Sequence, residues 1–209
     1  MSYKEDLSLK ELIDFLSQDK ELTHDYFEKE CINSGISLSL TKASVLVPFL
    51  EIDGKINILL TNRSPHLDDH AGQVSFPGGR IDTIDASPVE TAIRESYEEV
   101  GIKPKNINIL GSLDAYQTGT GFRIIPILAI INNQTEFKVN AEEVDSIFFL
   151  PLHFLMDSSN HAREIKTFKQ GNSSYDYDFN VIQYKDHYIW GATAAMLINL
   201  YEVIINKSK

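Results

Sequence analysis

The stretch GGRIDTIDASPVETAIRESYEEVGI, from Gly78 to Ile102, decides the fold of this chain. Its second half reads as a helix. Ser87-Pro88-Val89-Glu90 supplies an N-cap, a proline at the first helical position and a capping-box Glu. Gly101 supplies the C-terminal stop. At about 100° per residue, Val89, Ala92, Ile93, Ser96 and Val100 share one face, and Glu95, Glu98 and Glu99 fall on the opposite one. Glu95 and Glu99 stand one turn apart and repel, at a cost on the order of a few tenths of a kcal/mol. A divalent cation reverses the sign of that interaction, because hard cations take carboxylate oxygens. A solvated acidic helix face is the simpler reading of the Glu spacing alone. The surrounding sequence argues for the metal. A strand-like run, Gln73-Val74-Ser75-Phe76, leads through Pro77 into Gly78-Gly79, and that loop feeds the acidic helix.

This arrangement resembles the Nudix box, in which a Gly and a mid-box Glu precede Arg-Glu, two further residues, Glu-Glu, any residue, Gly and an apolar residue. Arg94, Glu95, Glu98, Glu99, Gly101 and Ile102 match in register. The chain departs from the box in three places. The gap from Gly79 to Arg94 is longer by one residue, Asp85 stands at the mid-box Glu, and Ser96 replaces an apolar residue. Ser96 is small and on the buried face, a variation in packing. The first two departures are features of the coenzyme A diphosphatase branch of the superfamily, whose box resembles Gly-Gly-x-x-Asp-x-x-Asp, here with Asp82 and Asp85.

Working upstream, LLTNRS (Leu59 to Ser64) and GQVSFPGG (Gly72 to Gly79) resemble the extra signature of the same branch, which is associated with coenzyme A recognition. The branch usually carries an Arg where this chain has Asp68, followed by Asp69. Arg63, Arg80 and Arg123 remain as candidate phosphate ligands, since Arg engages phosphate oxygens bidentately. The resemblance implies substrate-binding roles for Arg63, Ser64 and Arg80. His66 and His70 read as loop residues without zinc-ligand spacing. Further upstream, Val45 to Leu50 and Ile56 to Leu60 read as strands joined by an Asp53-Gly54 hairpin turn, with 38–43 as a connector. Residues 5–30 read as one or two amphipathic helices that cover a sheet or serve a homodimer contact. The expected organisation is an N-terminal helical extension over 1–40 and one catalytic domain over 41–209.

Downstream, Ile107 to Tyr116 and Arg123 to Ile131 read as strands around a flexible Gln117-Thr118-Gly119-Thr120-Gly121 loop, taken as a turn. Asn140-Ala141-Glu142-Glu143-Val144 precedes a strand ending in Pro151-Leu152. In similar proteins a Glu-Val pair stands there, and its Glu binds metal or acts as base. Glu143 is the match, with Glu142 the alternative if the loop shifts by one. A short helix follows over 151–156, then two or three strands over 164–188 around Gln170-Gly171-Asn172. Tyr175, Tyr177, Phe179 and Tyr184 line a nucleobase pocket or, more ordinarily, pack as core and cross-strand pairs. Tyr188-Ile189-Trp190-Gly191-Ala192-Thr193-Ala194 opens a last helix to about residue 206, again like the branch, with Gly191 and Ala194 allowing close packing.

Composition narrows the field. The formal net charge is −11, which argues against nucleic acid or an anionic membrane as partner. It also obliges metal ions or local cations to receive any phosphate substrate. Cys31 is the only cysteine, which excludes an intrachain disulfide and fits a reducing, cytoplasmic setting. The N-terminus lacks the apolar core of a signal peptide, and the longest apolar run, Ile124 to Ile131, is too short to span a bilayer.

The resemblance implies an α/β fold, the Nudix α/β/α sandwich with a mixed sheet. It also implies metal-dependent cleavage of a pyrophosphate bond. Glu95 and Glu99 are the implied metal ligands, with Glu98 and the Gly79 carbonyl as further candidates. Arg94 orients a Glu, and the general base is either a box Glu, with Glu98 the candidate, or Glu143. Mg2+ is the expected ion and Mn2+ a substitute. The implied substrate is coenzyme A or an acyl-CoA. The alternatives are another nucleoside diphosphate derivative, such as ADP-ribose, a dinucleotide or a modified nucleoside triphosphate, and a non-catalytic nucleotide-binding module, which the intact box carboxylates disfavour.

Overall fold

Strands β1 (Thr41–Ile52) and β2 (Lys55–Arg63) form the hairpin on which the sheet is built. Asp53 and Gly54 both take positive φ, the two-residue turn that an Asp-Gly pair favours. The computed structural model describes residues 8–17, 40–67, 70–170 and 173–207. The hairpin is paired only at its closed end, from Phe49↔Ile58 to Ile52↔Lys55. Beyond it β1 and β2 part, and the segment 74–80 fills the gap. There β3 (Val74–Ser75) pairs with β2, and β4 (Gly78–Arg80) pairs with β1. The backbone between them is pinned where Leu46 N–H donates to Pro77 O at 2.8 Å. The expected strand over 73–76 is thus shortened to Val74–Ser75, and the double glycine lies in the sheet as part of a separate short strand.

β7 (Phe122–Ile131) runs parallel to β1 from Thr41↔Phe122 to Phe49↔Ile130, and among the described residues every other pairing is antiparallel. β5 (Ile107–Ser112) and β6 (Tyr116–Gln117) both pair with β7, so the expected strand over 107–116 is broken in two. β8 (Val144–Pro151) closes the outer edge of β2. β1 begins at Thr41, inside the stretch 38–43 that reads as connector.

Alternation along the central strands separates two apolar layers. Val45, Val47, Phe49, Ile58 and Leu60 face a layer containing Leu12 and Leu16 of α1 (Leu9–Leu16), Leu152 and Leu155 of α3 (Leu152–Met156), and Leu197, Leu200 and Ile204 of α4 (Gly191–Lys207). Leu46, Leu59, Ile125, Ile127 and Ala129 face Ala92 and Val100 of α2 (Pro88–Val100), with Ile102 just beyond it. The result is the expected α/β/α sandwich around a mixed sheet. β1 is buried on both faces, which is why it reads as a continuous apolar run.

A second sheet of β9 (His161–Gln170), β10 (Ser173–Tyr184) and β11 (His187–Trp190) precedes α4. The residues Tyr188 to Trp190, expected to open the last helix, instead form β11. The helix starts at Gly191, where a left-handed backbone (φ +62°) turns the chain. Thr193 Oγ1 then donates to Val74 O at 2.9 Å, tying the helix start to β3. Phe179 packs edge-on against Trp190, and Tyr184 against Phe154, so both read as packing aromatics. Tyr175 and Tyr177 lie outside the described side chains, as does the rest of the expected N-terminal helical stretch outside the structured 8–17. Among the described residues no helix is long and apolar enough to cross a membrane.

Candidate active site

Helix α2 is fixed at both ends by the residues its sequence advertises. Ser87 Oγ accepts the Glu90 N–H at 3.2 Å, Pro88 follows at the first position, and Gly101 closes the helix in the left-handed conformation at φ +74°. A Cβ on Gly101 would stand 2.9 Å from Lys138 N, so a side chain there is excluded twice over. Ser96, in place of an apolar residue, is fully buried and returns its hydroxyl to Ala92 O at 2.6 Å.

Glu95, Glu99 and Glu143 converge, with one oxygen from each lying within 4.8 Å of the others. Two elements make this possible. The segment 138–144 is stitched to the helix C-terminus, where Lys138 N–H donates to Val100 O and Asn140 N–H to Glu99 O, both at 2.9 Å. These bonds satisfy carbonyls that the helix end leaves open and carry Glu143 to the carboxylates. On the other side, β4 lies against α2 so closely that a Cβ on Gly79 would stand 2.5 Å from the Glu95 carboxyl. Any side chain at 79 would therefore push the Glu95 carboxylate out of its place.

Helical periodicity places Glu99 on the polar face, yet it is buried, 2% exposed. It is covered by the edge of the sheet. Glu99 Oε2 accepts the Gly78 N–H at 3.1 Å, and Arg63 Nη1 lies 3.9 Å from Oε1. Burial pushes the Glu99 carboxyl up to about 8 against the pull of the Gly78 N–H and Arg63. Burial also raises Glu95, against Arg94. Three carboxylates in so little space, two of them desolvated, fit a hard divalent cation, which would supply the charge the protein lacks there.

Arg94 organises the other half of the site. Its Nε and Nη2 donate to the two Asp85 oxygens, each at 2.9 Å, in a bidentate pair. Its Nη1 donates to Glu95 Oε1 at 2.8 Å and to Glu98 Oε2 at 3.1 Å. Asp85 also accepts from Thr91 Oγ1 at 2.9 Å and from Asp82 N at 3.0 Å. The Arg94 guanidinium holds the Asp85 carboxyl down to about 2, and Asp85 in turn raises Arg94 further above its ordinary value. Asp85 is thus the loop's anchor on the helix.

The remaining expected residues divide. Glu98 stands outside the three-carboxylate group, 48% exposed, beside Arg94. Glu143 rather than Glu142 joins the group; Glu142 is exposed, and its N–H closes a turn on Asn140 Oδ1. Arg63 is next to Glu99. Ser64 is buried, its N–H donating to Glu143 O at 2.9 Å and its Oγ accepting from His66 N. Arg80 is exposed, its carbonyl accepting from Arg94 Nη2 and its guanidinium 5.3 Å from the centroid of the Phe122 ring. Arg123 is buried. Asp68 and Asp69 lie outside the described residues. Two contributors carry no functional reading in the sequence. One is the Gly78 N–H, a backbone group with no side-chain signal. The other is Asn140, whose Nδ2 donates to Glu143 Oε1 at 3.2 Å; its place at the head of an Asx turn was the available clue.

Comparisons with known proteins identify the family of the fold. The family model of the NUDIX domain matches residues 40–170. A protein of Pectobacterium atrosepticum named "Uncharacterized Nudix hydrolase NudL" is 38% identical over 160 residues, covering 76% of this chain and 80% of its own length. Its namesake in Enterobacter sp. (strain 638) is 34% identical over 164 residues, 78% of this chain and 82% of its own. A MutT/nudix family protein of Enterococcus faecalis shares the fold, with a TM-score of 0.51 and 12% identity over 96% of this chain and 75% of its own. Nudix hydrolases generally use divalent metal ions, which the carboxylate group can hold. The chain therefore belongs to the Nudix family, as a hydrolase that acts on pyrophosphate bonds of nucleoside diphosphate derivatives.

Proposed function

We propose that this hydrolase is a coenzyme A diphosphatase, cutting coenzyme A or its thioesters into adenosine 3',5'-bisphosphate and 4'-phosphopantetheine or its acyl derivative. The observation that carries the reading is where the two upstream signature segments lie. Residues 59–64 form the end of β2, and 72–79 form the wedge of β3 and β4. Both reach the carboxylate group directly, through Arg63 beside Glu99 and through the Gly78 N–H on Glu99. Sequence elements that mark a substrate branch thus border the reacting centre.

In the proposed mechanism Glu95, Glu99 and Glu143 would hold a divalent ion, Mg2+ with Mn2+ able to substitute, and that ion would supply charge neutralisation for the pyrophosphate oxygens. Arg94 keeps Glu95 and Glu98 in place while its other edge is locked on Asp85. Arg63 pairs with a substrate phosphate oxygen. Glu98, outside the carboxylate group and half exposed, takes the proton of the attacking water. The water oxygen bonds to one phosphorus, the bond from that phosphorus to the bridging oxygen breaks, and the other phosphate leaves with the electron pair.

The test is a mass-spectrometric product assay with coenzyme A, ADP-ribose and a dinucleotide at equal concentration, with Mg2+ or Mn2+. Release of phosphopantetheine ahead of the other products supports the assignment. Turnover of ADP-ribose or the dinucleotide but not coenzyme A overturns it and directs attention to Asp68, where the branch usually has Arg.

A further inference from the structure

A cleft of about 810 Å³ opens along the C-terminal end of α2. One wall is Tyr97, Glu98 and the turn carrying Lys103 and Lys105; the other is the segment from Glu136 to Ala141, with Lys138. Both walls are fixed by backbone bonds. Asn106 N–H donates to Lys103 O and Asn132 N–H to Asn106 O, while Lys138 N–H donates to Val100 O. The cleft is preformed, and its size is that of a small-molecule site.

Its chemistry runs against the rest of the molecule. Acidic residues outnumber Lys and Arg by 30 to 19 along the chain, but here three lysines meet two glutamates, and Glu98 is already engaged by Arg94 at 3.1 Å. Among the described residues none of the three lysines is held in an ion pair. Tyr97, 54% exposed, adds an unusually open aromatic face. The cleft also adjoins the carboxylate group. Asn140, in its wall, donates to Glu143 Oε1, and Glu98, in the opposite wall, shares Arg94 with Glu95.

We propose that this cleft receives the phosphorylated nucleoside limb of the substrate, with Lys103, Lys105 and Lys138 binding a phosphomonoester remote from the scissile pyrophosphate and Tyr97 stacking the base. The inference deepens the coenzyme A reading and rests on it, since coenzyme A carries such a phosphate on its ribose. Ammonium groups bind a phosphate dianion as point charges, and an aromatic face accepts any base.

The test compares coenzyme A with 3'-dephospho-coenzyme A in the wild type and in Lys103→Gln/Lys105→Gln/Lys138→Gln, with thermal melts to verify the fold. The wild type is expected to show a KM for coenzyme A at least tenfold below that for the dephospho form. The triple variant is expected to bring the ratio close to one, the loss falling on KM rather than kcat. Calorimetric binding of adenosine 3',5'-bisphosphate against adenosine 5'-monophosphate, without metal, gives a second readout that needs no turnover. A ratio unchanged in the triple variant, with coenzyme A still cleaved, overturns the cleft and leaves the diphosphatase reading standing. If coenzyme A is not cleaved, that reading falls and the calorimetry judges the cleft. A bisphosphate preference abolished in the triple variant supports it, and no preference overturns it. Should the triple variant fail to fold, Lys103→Gln and Lys138→Gln singly carry the same comparison.

Discussion

At the scale of single residues, the site depends on groups whose value comes from what they touch. Gly79→Ala places a methyl 2.5 Å from the Glu95 carboxyl, and the flexible carboxylate is what must yield. The expected outcome is a fall in activity of about 10²-fold or more, as misplacement of a reacting group by an ångström commonly costs. The apparent metal Kd should rise, and the melting temperature should stay near that of the wild type. An active Gly79→Ala enzyme with unchanged metal affinity would show that Glu95 does not need its position. Glu98→Gln and Glu143→Gln separate two roles that the sequence left open. The first should cut kcat by about 10²- to 10⁴-fold with metal affinity retained, as for loss of a general base. The second should weaken Mn2+ binding, read by calorimetry. The reverse pattern would exchange the two assignments.

At the scale of elements, the junction of α2 with β4 is where burial and charge meet. The Glu99 carboxyl, moved from the usual 4.5 up to about 8 by burial, keeps a proton in the metal-free folded state that the unfolded chain has lost. Its contribution to stability is therefore fully present below about pH 4.5, declines as pH rises, and is gone above about pH 8. The metal-free protein should melt progressively lower across that window, while the difference made by Mg2+ should grow. Binding of metal at pH 7 should release a proton, measurable by calorimetry in buffers of different ionisation enthalpy; no proton release would contradict a Glu99 held protonated by burial in the metal-free protein. The loop from β4 to α2 has the opposite dependence. Asp85, held down to about 2 by Arg94, contributes stability above its usual 3.8 that is lost as pH falls through about 2. Asp85→Ala leaves the Arg94 guanidinium without its bidentate partner. It should cost about 3 kcal/mol, the scale of a broken buried pair, read by urea denaturation. It should lower activity with it, because the same guanidinium holds Glu95.

For the whole molecule, the sandwich ties distant parts of the chain to one core. Leu12 of α1 is fully buried in the layer that contains Leu197 and Leu200 of α4. Leu12→Ala should cost about 2–5 kcal/mol by denaturation, the range for a Leu in a closed core, whereas an N-terminal helix that only rests on the surface would show almost no change. The sequence by itself determined the elements whose signals are local. These are the Asp53-Gly54 hairpin, the capped helix from Ser87 to Gly101, the apolar run that became β7, and the family resemblance carried by Arg94, Glu95, Glu98 and Glu99. It also indicated Glu143, through a Glu-Val pair ahead of a strand. Tertiary structure alone decided the rest. Periodicity along α2 cannot reveal that a sheet edge covers Glu99, because burial is set by what packs on a helix face. Nor can it show that β1 and β2 part to admit the two glycines, or that Tyr188 to Trp190 pair with β10, since strand pairing joins residues far apart in sequence. The carboxylate group exists because backbone bonds from 138–144 to the end of α2 bring Glu143 across some forty residues of chain to Glu99. Residue types name the chemistry, but only the long-range hydrogen bonds bring its members together.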